Sequence, residues 1–271
     1  MVSNSLKYDQ PMTEPSRITI ANSSSIIGFE KSGGGDWPVW DRYLTIENKR
    51  AYHIGNVCGT CAFFFVRLEG AKRSISATAI AERLNTGTDI TDPTFTSILS
   101  QILPTGAYYV NFPTVLPRLI APGHPDDYFV QEQVALWGID PLPHDPRVTY
   151  YRSHSLALAE HRQLFEFVIP MFPLTWLDQE RLTHYEGEIA HGGQPTAFTL
   201  SVLDIKQPAV WNGDPKITEH WCLAHYLLDG HHKIYAAAQQ NAPLNLVSFL
   251  AVDESLASEE EIKSALAALT P

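Results

Sequence analysis

The sequence predicts an α+β protein in two parts: an irregular, β-rich N-terminal domain over residues 1–169 packed on an α/β domain over residues 170–271. Three observations point there. Strand-like runs of β-branched and aromatic residues fill the first part, separated by long proline-bearing loops. Residues 225–252 read as strand, polar turn, helix, strand. The charge also shifts along the chain. Residues 1–170 carry 14 Lys+Arg against 17 Asp+Glu, and residues 171–271 carry 5 against 13. The change falls near Ile169-Pro170-Met171-Phe172-Pro173, with no low-complexity linker, so the parts are expected in close contact.

The N-terminal elements follow in order. Arg17–Ile20 alternates as a strand, and Lys31 to Trp40 reads as a loop by its glycines and proline. Tyr43–Glu47 is the next strand, and Asn48-Lys49-Arg50 turns it into Ala51–Ile54 as a hairpin. Ser76 caps a helix ending before Gly87, and Asp92-Pro93 opens another that stops at Pro104. Further strands are expected at residues 107–110, 148–151 and 164–169, with loops at GHPDDY and DPLPHDP between them.

Composition excludes several classes. Of 271 residues, 44% are apolar and only 18% charged, which fits a packed core and not a disordered or coiled-coil chain. A net charge of −11 makes nucleic acid an unlikely partner. No apolar run reaches the ~18 residues of a membrane span. The N-terminus lacks the apolar core of a signal peptide, so no membrane partner and a cytoplasmic location are expected. Three cysteines do not make a disulfide framework.

Cys58-Gly59-Thr60-Cys61 is the first chemical feature. A C-x-x-C turn sets two thiolates on one knuckle, and His53 lies five residues earlier as a third zinc ligand. The fourth would come from Cys222, another histidine or a carboxylate. Structural zinc, redox chemistry and two packed thiols all fit this pattern.

The stronger feature is Asp229-Gly230-His231-His232-Lys233, between the apolar run His225–Leu228 and a helix through Gln240. Asn241-Ala242-Pro243 ends that helix, and Leu244 to Val252 is a second buried strand. A turn that opens a helix presents unpaired N–H groups and the positive end of the helix dipole, so it suits an anion such as phosphate. Gly230 permits close approach, and His231, His232 and Lys233 add donors. Asp229 caps the helix, holds a metal or orients a histidine. His220 and His225 flank Trp221-Cys222, where they line the same pocket or simply pack. Ser258 to Glu261 is a capping box opening a last helix.

The run LLDGHHKIYAAAQQNAPLNLVSFLAVD resembles the core of the ParB/sulfiredoxin-like superfamily, whose members carry a strand, a DGHHR-like turn, a helix and a return strand. The resemblance spans about residues 170–255. By it, Phe172–Leu177 is the first strand, Asp178–Ala190 the following helix with Leu182, Tyr185 and Ile189 on one face, and Ala197–Leu203 the next strand. His191–Pro195 is similar to the family's turn, and residues 205–221 are an insertion. The fold class implied is therefore a β-rich domain packed on a ParB/sulfiredoxin-like module.

That family includes DNA-partition proteins, sulfiredoxins and free serine kinases that use ADP. The arginine-rich box of partition proteins is not visible, and His231 stands where sulfiredoxins carry cysteine. Lys233 replaces the family's arginine, keeping the charge but losing the bidentate fork. The resemblance implies a nucleotide or other small phosphate ligand, with Mg²⁺ alongside a nucleotide. It also implies catalytic roles for Glu186 or Glu188 as base, and for His231, in small-molecule phosphotransfer. The alternatives are a non-catalytic interaction or regulatory protein with a structural zinc site, and a metal-dependent nuclease.

Overall fold

The computed structural model describes residues 15–71, 93–138, 148–208 and 215–269. The expected Ser76 helix and the DPLPHDP loop lie outside these residues. The fold is mixed α+β, in three layers. Three helices cover one face of a large mixed sheet, and a small antiparallel sheet covers the other.

The small sheet holds β2 (Ile27–Gly34), β3 (Trp37–Ile46), β4 (Lys49–Asn56) and β5 (Val66–Arg67), in that order. The β3–β4 hairpin forms as expected, but its turn is Glu47-Asn48, and Lys49 and Arg50, expected in the turn, begin β4. Glu47 and Asn48 both take positive φ, the requirement of a tight two-residue hairpin turn. The segment Lys31–Trp40 is not a loop but the arms of the β2–β3 hairpin. Gly34 pairs with Trp37 across a turn at Gly35, which supplies the positive φ. The glycines there mark a solvent-exposed hairpin tip, with Trp37 63% exposed.

The large sheet comprises β1 (Ser16–Ile20), β6 (Gly106–Asn111), β7 (Thr114–Val115), β8 (Arg118–Ile120), β9 (Tyr150–Ala159), β10 (Arg162–Pro170), β11 (Thr196–Lys206), β12 (Glu219–Asp229) and β13 (Leu244–Ala251). Its order is β1-β6-β13-β11-β12-β10-β9-β8, with β7 paired to β13. The four central strands run β13, β11, β12, β10; β13–β11 and β12–β10 are parallel, and β11–β12 is antiparallel. Residue 169, where the sequence places a boundary, sits at the end of β10. Strands from both sides of it share this sheet.

Five α-helices complete the described residues: α1 (Pro93–Leu99), α2 (Glu132–Trp137), α3 (Gln179–Ala190), α4 (His231–Gln239) and α5 (Glu259–Leu269). Phe172–Leu177 is not a strand. Pro173 cannot donate to a ladder, and Leu174–Trp176 instead closes a 3-10 turn, with Trp176 N–H on the Pro173 carbonyl at 3.0 Å. The strand preceding α3 is therefore β10. Helix α5 opens with the expected capping box, Ser258 N–H donating to Glu261 Oε2 at 2.7 Å.

The central strands are buried on both sides, so they read as near-continuous apolar runs. Along β12, Cys222, Ala224, Tyr226 and Leu228 enter the core between the sheets, beside Leu44, Tyr52 and Ile54. Leu227 packs under α3 and α4 with Ile189 and Ile234. Trp221 and Leu223 pack under α5 with Ile262 and Leu266. Two bonds tie the layers directly. The Arg42 guanidinium of β3 pairs with the Asp204 carboxylate of β11, both fully buried, and Tyr52 donates to the Pro170 carbonyl.

Candidate functional site

The Asp229–Lys233 turn lies where β12 ends and α4 begins, against the start of α3. Gly230 is the residue before α4, with φ of 102°, and α4 has no side-chain cap at this end. A methyl group at Gly230 would sit 2.5 Å from the Ala197 Cβ of β11. Glycine is therefore required here both by the left-handed backbone and by close packing of turn on strand.

Both histidines accept a backbone N–H at Nε2, which leaves only Nδ1 to donate. His231 is 5% exposed, stacks on the Phe172 ring at 3.7 Å, and accepts the Met171 N–H at Nε2, 3.0 Å away. Burial, and secondarily the neighbouring His232, push its pKa down to about 3. It is a neutral imidazole that pins α4 to the end of β10, and its Nε2 is not free for catalysis. His232 accepts the Asp178 N–H at Nε2, 2.9 Å away. Burial and then the charge of Arg181 hold it below the ordinary histidine range. Lys233 donates to the Thr196 carbonyl at 2.7 Å, lies 3.7 Å from Asp229 Oδ2, and sits 5.7 Å from the centre of the Tyr185 ring.

Helices α3 and α4 run parallel. Asp178, the cap of α3, meets His232 at the start of α4, while the Glu186 carbonyl accepts from Gln240 where α4 ends. Residues 178, 181, 185 and 188 share one face by helical spacing. The Asp178 and Arg181 charges both act on His232, and those of Asp229, Arg181 and Glu188 all act on Tyr185. The corner thus joins Asp178, Arg181 and Tyr185 to Asp229, Gly230, His232 and Lys233, with Glu188 one turn beyond Tyr185 on the same face of α3. Glu186 is off that face, and its carbonyl lies where α4 ends. Asp178, Arg181 and Tyr185 are additions to the site residues expected from sequence, where Tyr185 stood only on the apolar face of the helix; the signal available was the polar 178/181/185/188 spacing.

A second constellation is not evident from sequence. Ser201 Oγ lies 2.7 Å from His225 Nδ1, and His225 Nε2 is 3.1 Å from Glu166 Oε1. Ser248 Oγ joins at 2.9 Å from Ser201, and His154 Nδ1 lies 2.7 Å from Glu166 Oε2. Burial would raise the Glu166 carboxyl, but bonds from His154 and then His225 hold it down at about 2. Glu166 in turn raises His154. The order hydroxyl, imidazole, carboxylate is that of an activated nucleophile. Ser201, His225 and Glu166 are nonetheless closed to solvent, beneath the helix layer. His220 does not join them. It faces the opposite side of β12, 2.9 Å from Tyr128 Oη.

Cys58 and Cys61 stand together on one turn, half-buried. His53 is not with them: its Nε2 lies 2.9 Å from Asp41 Oδ1, and its ring stacks on Tyr43. Cys222 is buried beside Tyr128. Among the described residues, no three of His, Cys, Asp and Glu gather as a metal site. No helix among them is long and apolar enough to cross a membrane. No protein-family model, curated protein or solved structure matches the chain.

Proposed function

We propose that the chain carries a ParB/sulfiredoxin-like module that binds the phosphate of a nucleotide or another small phosphorylated ligand at the corner where α3 and α4 begin. The observation that carries this reading is the uncapped start of α4 flanked by Arg181 and Lys233. Unpaired N–H groups and two cations at one helix start suit a compact anion. Lys233 holds its place through the Thr196 carbonyl, so it is pre-positioned rather than searching. Asp229 and Glu188 offer carboxylates for Mg²⁺ accompanying a nucleotide. In a phosphotransferase, Glu188 is the base for an incoming hydroxyl, since it shares the α3 face of Tyr185, beside Lys233, and Glu186 does not. His231 supports the site by anchoring α4 and has no chemical step.

The test is thermal stabilisation by inorganic phosphate, ADP, ATP and CTP, each with Mg²⁺. A true ligand at a hundredfold its Kd adds about 2.7 kcal/mol to stability. Arg181 is exposed, so Arg181→Ala leaves the free protein's melting temperature in place and weakens the ligand about tenfold, or ~1.4 kcal/mol. If no phosphate compound shifts the melting temperature, the reading fails.

A further inference from the structure

The Cys58–Cys61 knuckle meets β11 at its Lys206 end, and the α3–α4 corner meets that strand at Thr196. The Cys61 N–H donates to the Cys58 carbonyl at 3.4 Å, closing a β-turn over the four residues. Such a turn brings its first and last Cα atoms within about 7 Å. A disulfide needs them within roughly 4.4–6.8 Å, so the backbone is already shaped for one.

The knuckle is held at several points. The Lys206 ammonium donates to the Cys58 carbonyl at 2.9 Å, and the Gln207 N–H donates to the Gly59 carbonyl at 3.0 Å. Lys206 is buried, 3.5 Å from Asp204, and Arg42 pairs with that same carboxylate. Two cations on one carboxylate leave a net positive charge directly beneath Cys58. On the solvent side, Thr60 Oγ1 lies 3.3 Å from Cys58 Sγ. Gly59 and Thr60 are exposed, so a small reagent reaches the turn.

We propose that Cys58 and Cys61 form a thiol–disulfide exchange site, with Cys58 as nucleophile and a low-molecular-weight disulfide as co-reactant. The Cys58 thiolate attacks one sulfur of the reagent, whose S–S bond breaks, and the departing thiolate takes a proton from water. Cys61 then loses its proton to solvent and attacks the Cys58 sulfur. The mixed disulfide breaks and the second thiolate leaves. One disulfide is reduced to two thiols, and the pair is oxidised by two electrons to a Cys58–Cys61 disulfide.

The assignment of roles follows from the surroundings. Burial would raise the Cys58 thiol, but the neighbouring Cys61 thiol, Thr60 and the Lys206 charge outweigh it, and Cys58 titrates below the ordinary range. Burial and then Cys58 push Cys61 up to about 12. An acidic attacking thiol beside a resolving one is the division of labour that exchange requires.

The test uses the full chain, reduced, desalted and exposed to oxidised glutathione. Wild type is expected to lose two hydrogens by intact mass, with the new bond mapped to Cys58–Cys61. Cys61→Ser is expected to stop at a glutathione adduct on Cys58, and Cys58→Ser to form no rapid adduct. Should either variant fail to fold, alkylation of wild type decides: Cys58 should react at least about tenfold faster than Cys61. Equal rates, or an adduct on Cys222 in place of Cys58, overturn the proposal. So does stoichiometric zinc that must be chelated before either thiol reacts.

Discussion

His231 shows how a residue type suggests one role and its surroundings assign another. In sequence it stands among polar neighbours at a helix start. In the fold it is stacked, buried and bonded through Nε2 to the Met171 amide. His220 is buried as a neutral ring too, and burial brings both down to about 3. A histidine lowered on folding stabilises the protein above its unfolded pKa and loses that stability as pH falls toward the folded value. Each should cost about 2 kcal/mol by about pH 5, relative to pH 8. Glu166, also lowered, adds a loss of the same sign between about 4.5 and 2. His154 is raised, so its contribution has the opposite sense: full in acid, lost as pH rises through its folded pKa. Urea titrations at about pH 7.5 and 5 should therefore show a marked fall in acid; an unchanged midpoint would contradict the neutral, buried rings. Sequence located the turn, but not which ring nitrogens the backbone claims, because the Met171 and Asp178 amides are distant in the chain.

At the scale of elements, the strand–turn–helix–strand unit from β12 to β13 was legible because its local signals agree. An apolar run meets glycine, then alanine-rich helix, then Asn241 at positive φ before Pro243. Helix α3 was legible for the same reason, with Asp178 accepting the Arg181 N–H as its cap. The errors have physical causes. Phe172–Leu177 has strand composition, but proline and a 3-10 turn defeat it. Lys31–Trp40 has loop composition, but pairing within β2–β3 overrides it. The Gly230 start of α4 is the most constrained point. Gly230→Ala should lose at least about 1–3 kcal/mol through the positive φ alone, plus the clash with Ala197. Adding Ala197→Gly should recover the clash and leave the backbone cost, measurable by chemical denaturation. Full tolerance of Gly230→Ala would show that the turn is not held as described.

At the scale of the whole molecule, the pairing of the two sheets was not legible. It depends on contacts such as Arg42 with Asp204, which are 162 residues apart. Removing Asp204 leaves the buried cations Arg42 and Lys206 facing each other. Asp204→Ala should therefore cost about 3–5 kcal/mol in urea unfolding, and a loss below about 1 kcal/mol would contradict the charge arrangement.

The row Glu166, His225, Ser201, Ser248 takes one member from each of the four central strands, β10, β12, β11 and β13. The apolar residues around it are interchangeable by size; these four are not. Sliding any one strand by two residues keeps its apolar faces inward but strands a hydroxyl, an imidazole or a carboxylate against hydrocarbon. The row works as an alignment key, giving a sheet of look-alike apolar strands a single correct setting.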